Sequence, residues 1–326
     1  MIVLGVETSC DETAVAIVED GKKIHADVVY SQIKIHQQYG GVVPEVASRR
    51  HIVKIISVFE KALKDANLTP EDIDLVAVTT HPGLIGSLLV GINAARAFAL
   101  AHNIDYVGVN HLTGHIYASY LETDFTFPLL ALVVSGGHTE LILMKDHYQF
   151  EILGQTLDDA VGEAYDKVGR VMGLEYPAGA KVDKLAQTGE HTYKLPLTYL
   201  DKEVYNFSFS GIKSAVLNLI NTYKMKNEEI NLNNLATSFQ ESVVKVLVDK
   251  TIQAAKEFKV KHIITAGGVA ANQGLRSSLS KAVEALEDVK LTFPKLKYCT
   301  DNAVMIAVSG YFQKLYNKKA ANNKSN

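Results

Sequence analysis

One arrangement of short strands occurs twice in this chain of 326 residues, and it restricts the possible folds more than any other feature. A buried strand, a polar turn, a second strand, another turn and a third strand begin at Ile2 and again at Leu129. Self-similarity at a fixed spacing is typical of a repeated unit, so the separation of about 130 residues indicates an internal duplication, with two chance hairpins as the alternative. Longer helical segments alternate with the strands, which predicts the α/β class.

The length and the duplication together predict two lobes. At roughly 150 residues per domain, a chain of this length has room for about two domains. We predict a first lobe at 1–122, a second lobe at 123–317 that includes a helical insertion, and a disordered tail at 318–326. The tail is assigned because its residues are mostly Lys, Asn and Ala.

Composition excludes several classes of protein. Lys plus Arg number 33 against 36 Asp plus Glu, and a net charge of -3 excludes a protein that coats nucleic acid by charge alone, although not a local basic patch. The two cysteines, Cys10 and Cys299, are too few for a disulfide framework and favour a reducing, cytoplasmic location. The most apolar stretch, 83–101, contains Asn93 and Arg96, so we expect a buried helix and no membrane span. The N-terminus lacks the pattern of a signal peptide.

A pair of histidines is the first candidate for chemistry. His111 and His115 are four residues apart and therefore share a helix face, close enough to bind one metal ion. Two unrelated histidines are the alternative. Asp301 could supply a third ligand, but it also precedes a predicted helix, where capping requires no metal. A set of two histidines and one carboxylate suits iron or zinc.

The histidine pair does not support a metallopeptidase, because Leu112 stands where that mechanism needs a glutamate base. Cys299 is a softer candidate ligand that could instead be merely buried.

Glycine-rich turns and acidic residues form the other candidates. The turns at 82–86, 135–138 and 267–272 lie next to predicted strands or helices and could bind phosphate through backbone N–H groups, although each could also be only a tight turn. None has the P-loop or Rossmann spacing. The acids are Glu7, Asp11, Glu12, Asp158, Asp159, Glu163, Asp166 and Asp183. The spacing of Asp159, Glu163 and Asp166 predicts one helix face, either solvated or facing a ligand.

Basic residues give only weak evidence for nucleic-acid binding. Arg49, Arg50, His51, Lys54, Lys314, Lys318, Lys319 and Lys324 could contact a phosphate backbone or simply keep the protein in solution.

A series of longer motifs covers nearly the whole chain. In chain order they are VETSCDET at 6–13, GGVVPEVASR at 40–49, PGLIGSLLVG at 82–91, NHLTGH at 110–115, VSGGHT at 134–139, GEAYDK at 162–167, FSFSGIK at 207–213, GGVAAN at 267–272 and YCTDNA at 298–303. Together they closely resemble the TsaD family, the bacterial tRNA adenosine threonylcarbamoyltransferases, which belong to the actin-, Hsp70- and sugar-kinase-like superfamily.

The resemblance implies two ribonuclease-H-like lobes with an interlobe cleft. It implies that His111, His115 and Asp301 hold one divalent metal ion, iron or zinc, that links the lobes. It also implies a binding site for threonylcarbamoyl-AMP, formed by Val134, Ser135, Gly136, Gly137, His138, Asp166, Gly179, Asp183 and Asn272. We add the hypothesis that Asp11 or Glu12 removes a proton from the attacking amine.

The implied reaction moves the threonylcarbamoyl group to the exocyclic amine of the adenosine 3′ of the anticodon, in tRNAs reading codons that begin with A. The implied partners are tRNA and subunits similar to TsaB and TsaE, with ATP and Mg²⁺ used by the complex. Four positions in three motifs depart from the family pattern: His81 replaces a glycine, Ala178 and Ala180 interrupt a usual P-G-G-P, and Thr113 replaces a glutamate. A kinase of the same superfamily and a nucleotide-gated scaffold remain as alternatives.

Overall fold

A computed structural model describes residues 1–199 and 205–323. The strands are β1 (Ile2–Glu7), β2 (Glu12–Glu19), β3 (Lys23–Ser31), β4 (Leu75–His81), β5 (Asp105–Asn110), β6 (Leu129–Val134), β7 (Thr139–Asp146), β8 (Gln149–Gln155), β9 (His262–Ala266) and β10 (Lys290–Thr292). The helices are α1 (Ile33–His36), α2 (Pro44–Ala66), α3 (Ile85–His102), α4 (His111–Ala118), α5 (Val161–Val171), α6 (Gly179–Ala186), α7 (Ser210–Met225), α8 (Leu232–Glu257), α9 (Gln273–Val283) and α10 (Ala303–Asn323).

The strands form two five-stranded sheets with the same internal order. The first sheet runs β3-β2-β1-β4-β5, and the second, taken from its other edge, runs β8-β7-β6-β9-β10. In each sheet the central strand pairs antiparallel with the second strand of its meander and parallel with a strand that comes later in the chain. The matching order supports the predicted duplication, and the α/β class is confirmed.

Helices cover both faces of the first sheet. Leu4, Val15 and Ile17 on one face belong to a buried cluster with Phe59 of α2 and Ala95 of α3. On the other side, α10 packs against β1, β2, β4 and β5. The centre of the second sheet is also buried, since every residue of its central strand, β6, is buried.

Contacts divide the chain into two units, and the division differs from the predicted boundaries at the C-terminal end. One unit comprises 1–124 together with 294–326, and the other comprises 125–293. The predicted second lobe extends to residue 317. The difference arises because the apolar face of α10 covers the first sheet, with Val304, Ile306 and Val308 fully buried.

The prediction of a disordered tail at 318–326 is also wrong for residues 318–323, because α10 continues to Asn323. Residues 324–326, including Lys324, lie outside the described residues.

Local hydrogen bonds fix where two helices of the second unit begin. Helix α6 begins at Gly179, where Asp166 Oδ1 accepts the N–H groups of Ala178 and Gly179. Helix α7 begins at Ser210, where Asp158 accepts the N–H groups of Phe209 and Ser210.

Helix α3 is the one described helix that is long and apolar enough to span a membrane by length and composition alone. Its small residues explain that composition differently. Ser87, Gly91, Ala95 and Ala99 are buried on one side, and the helix packs against α2 and β4. Gly91 allows this contact, because a Cβ there would lie 2.2 Å from Thr8 Oγ1. The expectation of a buried helix is wrong for the other sides of α3, since 28% of the stretch is buried. One apolar helix of this length does not by itself indicate a membrane protein.

The close approach of α10 to β1 generates a first prediction. A Cβ on Gly5 would lie 2.3 Å from the carbonyl oxygen of Ala303 and 2.7 Å from the backbone nitrogen of Ala307, neither of which can move alone. We expect Gly5→Ala to lower the free energy of unfolding by about 1–3 kcal/mol through overpacking. Chemical denaturation measures the change.

Gly41→Ala is the matched control, because a Cβ there would meet no atom within 4 Å. Equal stability of the Gly5 and Gly41 variants would contradict this packing.

Candidate metal centre and glycine-rich turns

The two predicted metal-ligating histidines lie together at the start of α4. The side chain of Asn110 caps this helix by accepting the N–H groups of Leu112 and Thr113 at 2.8 and 3.1 Å. His111 therefore occupies the first helical position and His115 follows one turn later, with ring centroids 4.6 Å apart. Their Nε2 atoms converge on a single oxygen, Asp301 Oδ1, at 3.4 and 3.2 Å.

Asp301 reaches the histidines because its neighbour caps the helix. The alternative that Asp301 caps α10 is wrong, because Asn302 Oδ1 accepts the N–H of Met305 at 2.9 Å. The carboxylate of Asp301 is thereby left to face the imidazoles. Asp301, His111 and His115 all belong to the first unit, so the expectation that they link the two lobes is also wrong. Cys299 is not part of the group, since its Sγ lies near the carbonyl oxygens of Pro294 and Lys295.

The donor set fits a divalent metal ion. One nitrogen from each histidine and one oxygen of Asp301 lie within 4.8 Å of one another. Once their Nε2 atoms lose their protons, the two imidazoles and the carboxylate oxygen that they face could ligate one cation, and this composition suits iron or zinc. The residues present therefore fit the metal that the family resemblance implies.

Glu7 lies behind His111 and was missed as part of this site. Its Oε2 is 3.0 Å from His111 Nδ1, and its side chain is fully buried at the end of β1. Burial opposes charge on both groups, yet the Asp301 and Glu7 carboxylates raise the pKa of His111 well above its usual value. Burial alone would raise the pKa of Glu7, but attraction to His111 outweighs it and lowers the pKa. The position of Glu7, directly before the turn 8–11, was the only sequence signal.

The predicted catalytic acids, Asp11 and Glu12, lie at the start of β2, each 8% exposed. Two contacts hold the turn that carries them. Gln32 donates its backbone N–H to the carbonyl oxygen of Asp11 at 3.0 Å. His51 Nε2 lies 2.9 Å from the carbonyl oxygen of Cys10. Burial, followed by repulsion from Asp301 and Asp11, raises the pKa of Glu12 to about 10. Glu12 is thus protonated near neutral pH when no cation is bound.

In the second unit, the turn 135–138 joins β6 to β7. The Ser135 N–H donates to the carbonyl oxygen of His138 at 2.8 Å. The N–H of Gly162, at the start of α5, donates to the carbonyl oxygen of Ser135. A Cβ on Gly136 or Gly137 would meet nothing within 4 Å, so the backbone of this turn is open on that side. Gly267 lies alongside with φ of +90°, and a Cβ there would be 2.5 Å from the carbonyl oxygen of Val134. The turn 135–138, the start of α5 and the turn that begins at Gly267 therefore lie next to one another.

Two further predicted substrate residues are joined through a residue that was not predicted. Gln240 of α8 donates to Asp183 Oδ1 at 3.0 Å and accepts from Asn272 Nδ2 at 2.7 Å. Asp183 also accepts the N–H of Gln273, and Asn272 caps α9 by accepting the N–H of Leu275. Their side chains thus fix the start of α9 beside the glycine-rich turn 267–272.

Other candidates have structural partners. Asp159 precedes α5 rather than lying on it, and Lys167 pairs with both Asp159 and Glu163. Asp158 accepts the N–H groups of Phe209 and Ser210 at the start of α7. Among the basic residues, Arg49 pairs with Glu45, Lys314 pairs with Asp105 and His51 is fully buried.

The fold places the chain in a known class. Solved structures with the same architecture include the (R)-2-hydroxyglutaryl-CoA dehydratase component A of Acidaminococcus fermentans, with a TM-score of 0.57 and 15% identity over 96% of this chain and 98% of that one. A ROK hexokinase from Thermus thermophilus gives a TM-score of 0.51 and 14% identity over 96% of this chain and 100% of that one. The chain thus has the fold of the actin-, Hsp70- and sugar-kinase-like superfamily.

Within that class, sequence comparison defines the family. The family model TsaD, described as tRNA N6-adenosine threonylcarbamoyltransferase, matches residues 23–308. The enzyme of that name from Bacillus subtilis (strain 168) is 56% identical over 310 residues, covering 95% of this chain and 90% of the relative. The chain belongs to the TsaD family and is an enzyme of the acyltransferase type, in a family that modifies tRNA.

The pKa of Glu12 generates a prediction for the metal-free protein. Between pH 4.5, the ordinary value, and about 10, the folded chain binds a proton at Glu12 that the unfolded chain has released, so stability falls as the pH rises. Glu12→Gln imitates the neutral carboxyl group. We expect it to stabilise the protein more at pH 8 than at pH 5, measured by denaturation in the presence of a chelator.

The wild-type protein at the same two pH values is the reference. A change in stability that is the same at both would show that Glu12 ionises normally in the folded chain.

Proposed function

We propose that this enzyme transfers the threonylcarbamoyl group from threonylcarbamoyl-AMP to the exocyclic amine of the adenosine 3′ of the anticodon, in tRNAs that read codons beginning with A. Membership of the TsaD family supports the reaction. The observation that carries the mechanism is the convergence of His111 Nε2 and His115 Nε2 on Asp301 Oδ1.

His111, His115 and Asp301 would hold one divalent metal ion, iron or zinc. When bound, such an ion supplies Lewis acidity to a phosphate or carbonyl oxygen of the donor. The N-cap at Asn110 and the cap at Asn302 keep the three ligands in place before any ion arrives. The buried carboxylate of Glu7 and the half-buried carboxylate of Asp301 would supply the negative charge that a cation needs in this site.

The donor would bind to the second unit. The N–H groups of Gly136 and Gly137, in the turn that follows Val134, would suit the developing charge of a leaving phosphate. Ser135 and His138 would hold the shape of this turn, because their own N–H groups donate to the His138 carbonyl oxygen and Ser135 Oγ. Asp166 holds the N–H groups of Ala178 and Gly179, which fixes the loop after α5. Asp183 and Asn272 would bind the adenosine part, with Gln240 setting their orientation.

The two acids would act on the attacking amine in different ways. Because Glu12 carries a proton near neutral pH in the metal-free chain, it is suited to donate a hydrogen bond, and we assign proton acceptance to Asp11. A cation bound nearby favours the ionised form of Glu12, so its role depends on metal occupancy.

We further propose that tRNA is bound with the help of subunits similar to TsaB and TsaE, with ATP and Mg²⁺ used by the complex in the cytoplasm. A net charge of -3 gives the isolated chain little general attraction for tRNA. An apolar surface supports a protein partner. It consists of Ile52, Val53 and Ile56 on α2 with Ile85 and Leu89 on α3, whose side chains are between 51% and 78% exposed.

The central experiment combines the chain, its partners, threonylcarbamoyl-AMP and unmodified tRNA, followed by mass analysis of the nucleosides. We expect modified adenosine to form with the wild-type protein and to fall at least about 100-fold after chelation or in His115→Ala, since a lost ligand removes the Lewis acid. His25→Ala is the control, because His25 lies on β3 and pairs with Glu19. Unchanged transfer after complete metal removal would overturn the metal role, and phosphorylated product without modified nucleoside would favour a kinase.

The same assay, run as a single turnover, distinguishes the roles of Asp11 and Glu12. Asp11→Asn should lose more transfer than Glu12→Gln, because only the first removes the proposed proton acceptor. Full transfer by both variants would remove these acids from the mechanism.

The apolar surface on α2 and α3 generates a separate prediction. Ile56→Asp should weaken binding of the TsaB-like subunit at least about tenfold, because a charge would be buried in an apolar interface. Light scattering after gel filtration measures the complex. Met225→Asp on α7 is the control, since Met225 is 79% exposed and lies in the other unit. Equal binding by both variants would locate the partner elsewhere.

A further inference from the structure

Glu7 is a buried carboxylate that none of the proposed chemical steps uses. It has no exposed surface, and three groups surround its oxygens. Ser9 donates its backbone N–H to Oε1 at 2.5 Å, Thr79 donates its hydroxyl to Oε2 at 2.5 Å, and His111 Nδ1 lies 3.0 Å from Oε2. A charge buried this completely needs partners of this kind, and the only ionisable one among these three is a proposed metal ligand.

The contact with His111 decides which ring nitrogen is available. An ionised carboxylate can only accept hydrogen bonds, so His111 must carry its proton on Nδ1 where it meets Glu7. In the neutral imidazole, Nε2 then has the free lone pair, and Nε2 is the atom that faces Asp301. Ser9 Oγ, 3.2 Å from Nδ1, lies on the same side of the ring and strengthens this orientation.

The other histidine has no such support. His115 Nδ1 is buried and has no hydrogen-bond partner among the residues that the structure describes. The two histidines are therefore unequal at Nδ1: Glu7 holds this nitrogen of His111, whereas the contact of His115 with a carboxylate is made through Nε2 to Asp301. A carboxylate on the far nitrogen of a ligating histidine fixes its tautomer and raises its basicity.

We infer that Glu7 is a positioning residue for the metal centre, fixing the Nδ1–H tautomer of His111 so that Nε2 binds a divalent cation. The inference rests on the proposed function of His111, His115 and Asp301 as ligands. Because Ser9 donates to the other oxygen of Glu7, the same carboxylate joins the metal ligand to the turn that carries Asp11. Glu7 thus connects the metal centre to the proposed proton acceptor without contacting substrate.

The test measures Co²⁺ and Zn²⁺ affinity of the purified full-length chain by competition with a chromophoric chelator. Glu7→Gln keeps the shape of the side chain but removes its charge, and we expect affinity to fall about 10- to 100-fold, with a shifted Co²⁺ absorption band. Thr79→Val removes only a hydrogen bond to Glu7 and should give a smaller loss in the same direction, which keeps the test informative if Glu7→Gln fails to fold. Circular dichroism verifies the fold of each variant.

Glu140→Gln is the matched control, because Glu140 is also a buried strand glutamate, 8% exposed, in the other unit. Its metal affinity should equal that of the wild type. A wild-type chain that binds neither ion would overturn the ligand set and the role of Glu7 with it. If the wild type binds the ions and folded Glu7→Gln or Thr79→Val binds them equally well, only the role of Glu7 falls, as it does if Glu140→Gln loses affinity to the same extent.

Discussion

The packing of α10 across β1 is the contact on which the candidate metal centre depends. Gly5 has no side chain, so the first turn of α10 can approach the sheet until the backbone at Ala303 meets β1. That approach brings Asp301, which precedes the helix, to the end of the sheet where α4 begins. Asn302 completes the arrangement, because its side chain satisfies the end of α10 and leaves the carboxylate of Asp301 for the histidines. A helix from the far end of the sequence thereby becomes part of the first unit.

Charge balance then governs what this site can hold. Glu7, Glu12 and Asp301 are carboxylates within a region where burial opposes ionisation. Without a cation, the structure keeps Glu7 and Asp301 ionised by means of His111, while Glu12 takes up a proton. A divalent ion would replace that positive charge and reduce the repulsion on Glu12. The same electrostatics that favour metal binding therefore set the protonation of the neighbouring acid.

The sequence predicted those parts of this site that depend on neighbouring residues, and it missed those that depend on residues far apart in the chain. The helix pairing of His111 with His115 and the strand of β1 follow from local spacing, and both are confirmed by the structure. The capping of α10 was misassigned because Asp301 and Asn302 are adjacent and both are good cap residues, so only tertiary contacts decide between them. Glu7 and Gln240 were missed for a related reason. Their partners, His111 and Asp183, are distant in the chain and share no periodic pattern with them.

The two copies of the repeated unit show how one topology can carry different chemistry. In both sheets a turn connects the central strand to its antiparallel neighbour, at 8–11 in the first and 135–138 in the second. The first turn carries Asp11 directly before Glu12, and buried side chains such as His51 fix its backbone. The second turn carries Gly136 and Gly137, where a Cβ would meet no atom within 4 Å. Because strand order fixes where each turn lies, a change of turn residues alone is enough to place the proposed proton acceptor in one copy and the proposed anion-binding loop in the other.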